Sequence, residues 1–286
     1  MEVGEVRLVN KGSDVTSGYD RPMHTTSEAG GRVGMQIRAW RQRRRRSQLD
    51  LALDAEISAR HLSFLETGRS RPSREMVLRL ADKLDVPLRE RNELLVSAGF
   101  APVFPERPLD DPTLQAARRA VDLVLKGHEP FPALAIDRHW TLVASNAAVA
   151  PLLGGVDSSL LAPPVNVLRL SLHPGGLAPR IANIGEWREH LFDRLRHQIE
   201  LTADEKLIEL LAELRDYPAP EEHVPAGPAV NYGNVVVPFR LRAGDRELAF
   251  FSTTTVFGTP VDITLSELAI EAFFPADEAT ASAILG

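Results

Sequence analysis

The sequence predicts two domains: an all-α head of five helices, and an α+β body built on a five-stranded antiparallel sheet. Three observations carry this. Between Ser47 and Gly68, two short helical patterns with capping residues meet at a tight corner. From Phe131 onward, runs of alternating apolar and polar residues take over from helical spacing. Charge divides along the same line. Residues 32–98 hold 15 Lys and Arg against 9 Asp and Glu, a net +6, whereas the whole chain of 286 residues carries −6, leaving −12 for the remainder. A basic module joined to an acidic one suits a head that binds nucleic acid and a body that does not.

Residues 1–31 show little apolar periodicity and many Gly, Ser, Thr and charged residues, so a disordered tail is expected there. Residues 32–100 form the head. Its first helix is expected from Val33 to Arg44, with Val33, Ile37 and Trp40 at core spacing. The run Arg43, Arg44, Arg45, Arg46 reads as a solvated helix end or, beside the motif that follows, as a set of phosphate contacts. Ser47 is an N-cap, and Asp50 completes a capping box. Leu49, Leu51, Ala52 and Ala55 supply the apolar side, with Ala52 small where two helices must approach. Ser58 caps the next helix, Leu62 and Leu65 turn inward, and Gly68 ends it. This is a helix-turn-helix, and its second helix is expected in the major groove of double-stranded DNA. Arg69, Arg71 and Arg74, around the following loop, are expected on phosphates.

The head ends near Ala98-Gly99. Pro102, Pro105 and Pro108 break periodicity, which marks 101–112 as a linker and 113–286 as the body. A helix is expected from Thr113 to Lys126, then a hairpin of Phe131–Ile136 and Trp140–Ser145 around Asp137-Arg138-His139, with Asn146 starting the next helix. From Val167 to Tyr217 the pattern is mostly helical. Trp187, Leu191 and Leu195 share one face, and Thr202 to Glu205 reads as a capping box. Strands at Val235–Arg242, Glu247–Val256 and Leu268–Phe274 bring the total to five, with helices over one face. Trp140, Trp187, Phe192, Phe239, Phe250, Phe251 and Phe257 are either plain core or the lining of an apolar pocket.

The stretches "SQLDLALDA", "SARHLSFLETGRSRPS" and "VLRLADKLDVPLRERNELL" resemble the second to fifth helices of lambda-repressor-like regulators of the XRE type. The C-terminal "FFSTTTVFGTPVDITLSELAIEAFFPAD" resembles, more narrowly, the MmyB-like regulators, which couple this head to a PAS-like ligand-binding domain. The likeness runs from about Val33 to Ala276. It implies that Ala59, Arg60 and Ser63 face the groove, with Phe64 at its edge. Arg60 is the leading base reader, because a bidentate Arg–guanine contact is the commonest specific one. It also implies a partly buried ion pair between Arg41 and Glu66. Gln48 is expected on a phosphate, and His61 either packs or contacts one. The corner position, commonly Gly in the family, is Glu56 here, at a cost of about 1 kcal/mol for the left-handed conformation.

For the body, the resemblance implies a long apolar ligand such as a fatty acid, with Trp140, Arg180, Trp187, Arg188, Leu191, Phe192, Phe239 and Phe250 as the lining. Arg180, Arg188, His190 and Arg194 lie on the covering helical region, where a cation could meet an acid. No other cofactor is expected, and the partners implied are double-stranded DNA, a small apolar ligand and a second copy of the chain. With no Cys, there is no disulfide framework or thiolate metal site, which fits a cytoplasmic protein. No apolar run is long enough to cross a membrane. Catalysis is not expected. Ala98-Gly99 resembles the scissile pair of self-cleaving repressors, but the only later lysines are Lys126 and Lys206, and Lys206, in a capped helix next to Glu205, is poorly set for a general base. His190 and His197 are about 10 Å apart along a helix, too far for one metal ion. The remaining alternative is a body that only joins subunits or binds a protein partner.

Overall fold

Five helices close around one apolar core in the first third of the chain. The computed structural model describes residues 25–218, 237–258 and 260–286. In the head these are α1 (Thr25–Arg43), α2 (Gln48–Asp54), α3 (Ala59–Glu66), α4 (Arg74–Lys83) and α5 (Leu88–Ser97). Helix α1 thus starts at Thr25, inside the segment expected as a tail, and residues 1–24 lie outside the described residues. Val33, Ile37, Leu51, Leu62, Leu65 and Leu80 are closed to solvent. Leu49 is not: at 59 % exposure it leaves the apolar side of α2 to Leu51 and Ala52. Gly34 lets two backbones touch. A Cβ there would lie 2.2 Å from the Leu65 carbonyl oxygen, so α3 is seated directly on α1.

The chain then crosses 101–111 without regular structure, pinned to the head at Val103, Phe104 and Glu106 and to the body at Pro105 and Arg107. The Asn92 side chain on α5 accepts from the amides of Val103 and Phe104 and donates to the Phe104 carbonyl at 2.7 Å. The body follows as α6 (Gln115–Gly127), β1 (Ala133–Ile136), β2 (Leu142–Ser145), α7 (Val167–Leu172), α8 (Ile184–Thr202), α9 (Glu205–Asp216), β3 (Phe239–Ala243), β4 (Arg246–Val256), α10 (Ile263–Ser266), β5 (Ala269–Pro275) and α11 (Glu278–Leu285). The five strands form one antiparallel sheet in the order β2-β1-β5-β4-β3. The first strand of the final three begins at Phe239, and Val235 and Val236 of its expected span lie outside the described residues.

Period-two alternation lets the central strands β1 and β5 feed two cores, one on each side of the sheet. Leu134 and Ile136 of β1 join Leu191, Leu195 and Phe250 in the larger one, under α7, α8 and α9. Ala133 and Ala135 join Val121 and Leu125 of α6 on the opposite side. Helices therefore cover both faces, not one. Two local expectations change as well. Asn146 starts no helix: its buried amide accepts from Ala133 N–H and donates to the carbonyls of Leu125 and Phe131, tying α6 to the hairpin. Helix α9 is capped by Asp204, because α8 runs through Thr202, whose hydroxyl donates to the Gln198 carbonyl. Among the described residues no helix is long and apolar enough to cross a membrane.

Candidate nucleic-acid interface and apolar pocket

Helix α3 is held by its ends and its floor. Ser47 and Asp50 cap each other at the start of α2, and Ser58 accepts from His61 N–H at the start of α3. Between them Glu56 adopts φ 56°, the left-handed conformation that this corner requires. Gly68, at φ 72°, turns the chain out after Thr67. Underneath, Arg41 makes a fork onto Glu66, with Nε to Oε1 at 2.6 Å and Nη2 to Oε2 at 2.9 Å. Gln48 Nε2 donates to the same Glu66 Oε2 at 2.7 Å, and Arg41 Nη1 donates to the Arg46 carbonyl at 2.8 Å. Gln48 thus spends one amide hydrogen inside the head, where a phosphate was expected.

With Leu62, Leu65 and Glu66 buried, α3 leaves Arg60 exposed and Ser63 and Phe64 half-buried, while Ala59 packs in part against the head core. Arg60 is exposed and lies over the Phe64 ring at 5.3 Å, with Arg69 over it at 5.9 Å. His61 is half-buried on the same helix. Among the described residues no carboxylate pairs with Arg45, Arg60, Arg69, Arg71 or Arg74, and all five are exposed.

Arg44 and Arg46 of the Arg43–Arg46 run are engaged within the fold, where phosphates were expected. Arg44 donates to the carbonyls of Leu84 and Asp85, each at 2.9 Å, and to Leu201 of the body at 3.4 Å. Arg46 donates to the Lys83 carbonyl at 3.0 Å and pairs with Asp54. These carbonyls end α4 and have no partner within their own helix, so the two cations complete that terminus. Arg43 lies over Trp40 and faces Glu90 across a groove between head and body. Partial desolvation there lowers the pKa of its guanidinium, while burial raises that of the Glu90 carboxyl.

In the body, a cavity of about 100 Å³ lies between the sheet and α7–α8. Trp140, Trp187, Leu191, Phe239, Phe250 and Phe273 stand on its wall, so five of the eight expected lining residues meet there. Three do not. Phe192 is buried in the core beneath Arg188. Arg188 donates to the carbonyls of Leu214 and Arg215 that end α9. Arg180 holds the carbonyls of Leu152, Gly154 and Arg242. Neither cation points into the cavity, because carbonyls with no other partner take both.

The polar atoms on the wall belong to Ser171, Arg194, Ser252 and Glu271. Ser171 accepts from Trp187 Nε1 at 3.0 Å. Arg194 forks onto Glu271 at 2.5 and 3.2 Å and lies over Trp140 at 4.8 Å, whose Nε1 donates to Gln198. One turn before it, His190 lies against Trp187, and burial lowers its pKa with help from Arg194, which favours the neutral imidazole. Sequence reasoning missed Glu271. Its signal was a single carboxylate inside the apolar run of β5, facing the core between Ile270 and Ala272. Among the described residues no three His, Cys, Asp or Glu side chains cluster to hold a metal ion. Lys126 and Lys206 are both exposed.

Residues 117–285 match the family described as the MmyB-like transcription regulator ligand binding domain, and residues 37–91 match a helix-turn-helix family. No protein of curated function matches the chain. Among solved structures, the crystal structure of the clp gene regulator ClgR from C. glutamicum is 24 % identical, spans 25 % of this chain and 88 % of that one, and has a TM-score of 0.22. A second crystal structure of ClgR, from Corynebacterium glutamicum, is 25 % identical over 38 % of this chain and 99 % of that one, with a TM-score of 0.23. An RNA-binding light-oxygen-voltage receptor is 13 % identical, spans 91 % of this chain and 62 % of that one, and has a TM-score of 0.26.

Proposed function

This chain belongs to the MmyB-like transcription regulators, and from that premise we propose that it is a ligand-responsive regulator that binds a pseudo-palindromic site as a homodimer. One head reads too few base pairs to be selective, and pairing two heads supplies the missing contacts. Arg60 is the base reader, with Ala59, Ser63 and Phe64 beside it. Arg45, Arg69, Arg71 and Arg74 hold phosphates, and the protein works in the cytoplasm. The body, with a PAS-like role, senses a small apolar ligand of the fatty-acyl kind.

One observation carries the sensor reading: the cavity walled by Trp140, Leu191, Phe239 and Phe250 lies inside the segment that matches a ligand-binding family. Its size sets a condition. A cavity of about 150 Å³ accommodates benzene, so a long chain enters this one of about 100 Å³ only if α7 and α8 move. That movement is what makes the site a sensor and not a store. A second reading, a body that only joins subunits, is favoured by Leu123 and Val124, exposed at 71 % and 46 % on α6.

Native mass spectrometry, followed by titration of labelled operator with and without the co-purified lipid, separates the two. A dimer that carries an apolar small molecule and changes operator affinity on release supports the sensor. A dimer whose body is empty, and whose operator affinity no lipid moves, leaves the subunit-joining reading.

A further inference from the structure

The apolar ligand proposed above has two ends, and the cavity wall says which chemistry its polar end has. Arg194 of α8 is the only cation among the described lining residues, and both of its terminal nitrogens are engaged, with its charge matched by Glu271. Its Nη2 donates to Glu271 Oε1 at 2.5 Å and its Nη1 to Oε2 at 3.2 Å. Nη2 also reaches Thr254 Oγ1 at 3.2 Å, and that hydroxyl donates to Glu271 Oε1 at 2.8 Å. The Glu271 side chain is 4 % exposed, so the carboxylate depends on these partners and not on water.

A free carboxylate entering this cavity meets a neutral pair and not a cation. To take the guanidinium fork it must displace Glu271, which strands a buried charge. To share the fork it must bring a second carboxylate against the first, and two like charges at that range disfavour both being ionised. An uncharged donor meets neither obstacle. Glu271 Oε2 accepts one recorded hydrogen bond, the longer one from Arg194, and an ionised carboxyl oxygen has room for two. A hydroxyl or primary amide can therefore donate to Oε2 with the ion pair intact.

We infer that the pocket takes an apolar chain ended by a hydroxyl or amide, and that Glu271 is the residue that refuses the free acid. This rests on the sensor reading and narrows it from acyl chains in general to their uncharged derivatives.

The test is calorimetric titration of the full chain at neutral pH with n-octanol, octanamide and sodium octanoate. The alcohol and the amide are expected to bind roughly tenfold tighter than octanoate, or better. Glu271→Gln keeps an acceptor for Arg194 and removes the charge, so octanoate should gain about tenfold while n-octanol changes by less than about threefold. Adding Arg194→Gln to that variant should abolish the octanoate gain. Octanoate binding the unaltered protein as tightly as n-octanol overturns the inference, and so does Glu271→Gln leaving octanoate unchanged. Should Glu271→Gln not fold, the ranking on the unaltered protein decides alone. If none of the three ligands binds, the sensor reading itself falls, and this inference with it.

Discussion

Removing Arg41 should loosen the recognition helix more than removing Glu66, and the geometry gives the order. Glu66 is 1 % exposed in its side chain and accepts three hydrogen bonds, two from Arg41 and one from Gln48. In Arg41→Met it keeps only the Gln48 amide, so a carboxylate is left almost without compensation. In Glu66→Met the guanidinium, 10 % exposed, still donates to the Arg46 carbonyl. Breaking a buried pair costs about 3–5 kcal/mol. Arg41→Met belongs near the upper end of that range and Glu66→Met near the lower. The double variant leaves no orphan charge and should cost no more than either single change, because a buried pair replaced by apolar residues of similar volume is often neutral.

Hydrogen exchange of the peptide spanning α3 is the assay, since it reads local opening without requiring the whole chain to unfold. A loss of about 3 kcal/mol speeds exchange on the order of a hundredfold, and about 5 kcal/mol on the order of a few thousandfold. If both single variants exchange at the unaltered rate, or if their costs add in the double variant, the pair does not hold α3 and the reasoning fails.

Arg60→Ala should cost about 1–3 kcal/mol on the operator and relax preference at one base pair per half-site, whereas Arg45→Ala should weaken all sequences alike and lower the salt slope by about 1. Equal losses on operator and random DNA for both would refute this division. A fragment of residues 1–100 should retain non-specific affinity and lose most operator affinity, measured by competition with random duplex, because the acidic body contributes by pairing heads. An isolated head that matches the whole protein on its operator would contradict that. Ser252→Leu fills the cavity from β4 and should weaken ligand binding by about tenfold or more with the melting temperature unchanged or raised. Retained binding would place the ligand elsewhere. Arg89 on α5 holds Glu267 next to β5 at 2.8 and 2.9 Å and Glu106 of the connecting segment at 2.7 Å, so Arg89→Ala should speed protease cleavage within 101–111. An unchanged digestion rate would show that other contacts hold the connection.

How much of this was legible follows from how far each partner lies along the chain. Caps are local: Ser47 finds Asp50, and Ser58 finds His61, three residues on. Periodicity is local too, and Val33, Ile37 and Trp40 are buried where their spacing put them. The five strands are legible for the same reason, since alternation within each run is visible without knowing its neighbours. Leu49 and Thr202 mark the limit. Each has the right residue type at the right spacing, but a two-turn helix buries only part of its apolar side, and α8 outlasts the Thr that was to end it.

Arginines lie beyond that limit altogether. Composition establishes a net positive head, yet Arg44 ends on carbonyls 40 and 41 residues away, and Arg188 and Arg180 on carbonyls between 26 and 62 residues away. A sequence shows the charge but not the acceptor, and a long flexible side chain reaches whichever helix terminus the fold brings near. The same blindness hid the pair at the cavity wall, since Arg194 and Glu271 are separated by 77 residues. What separates a cation free for phosphate or ligand from one already committed is whether a carbonyl or carboxylate has reached it first. By that criterion Arg45, Arg60, Arg69, Arg71 and Arg74 have no carboxylate partner among the described residues. Arg43 and Arg44, next to Arg45 in the same run, belong instead to the joint between head and body.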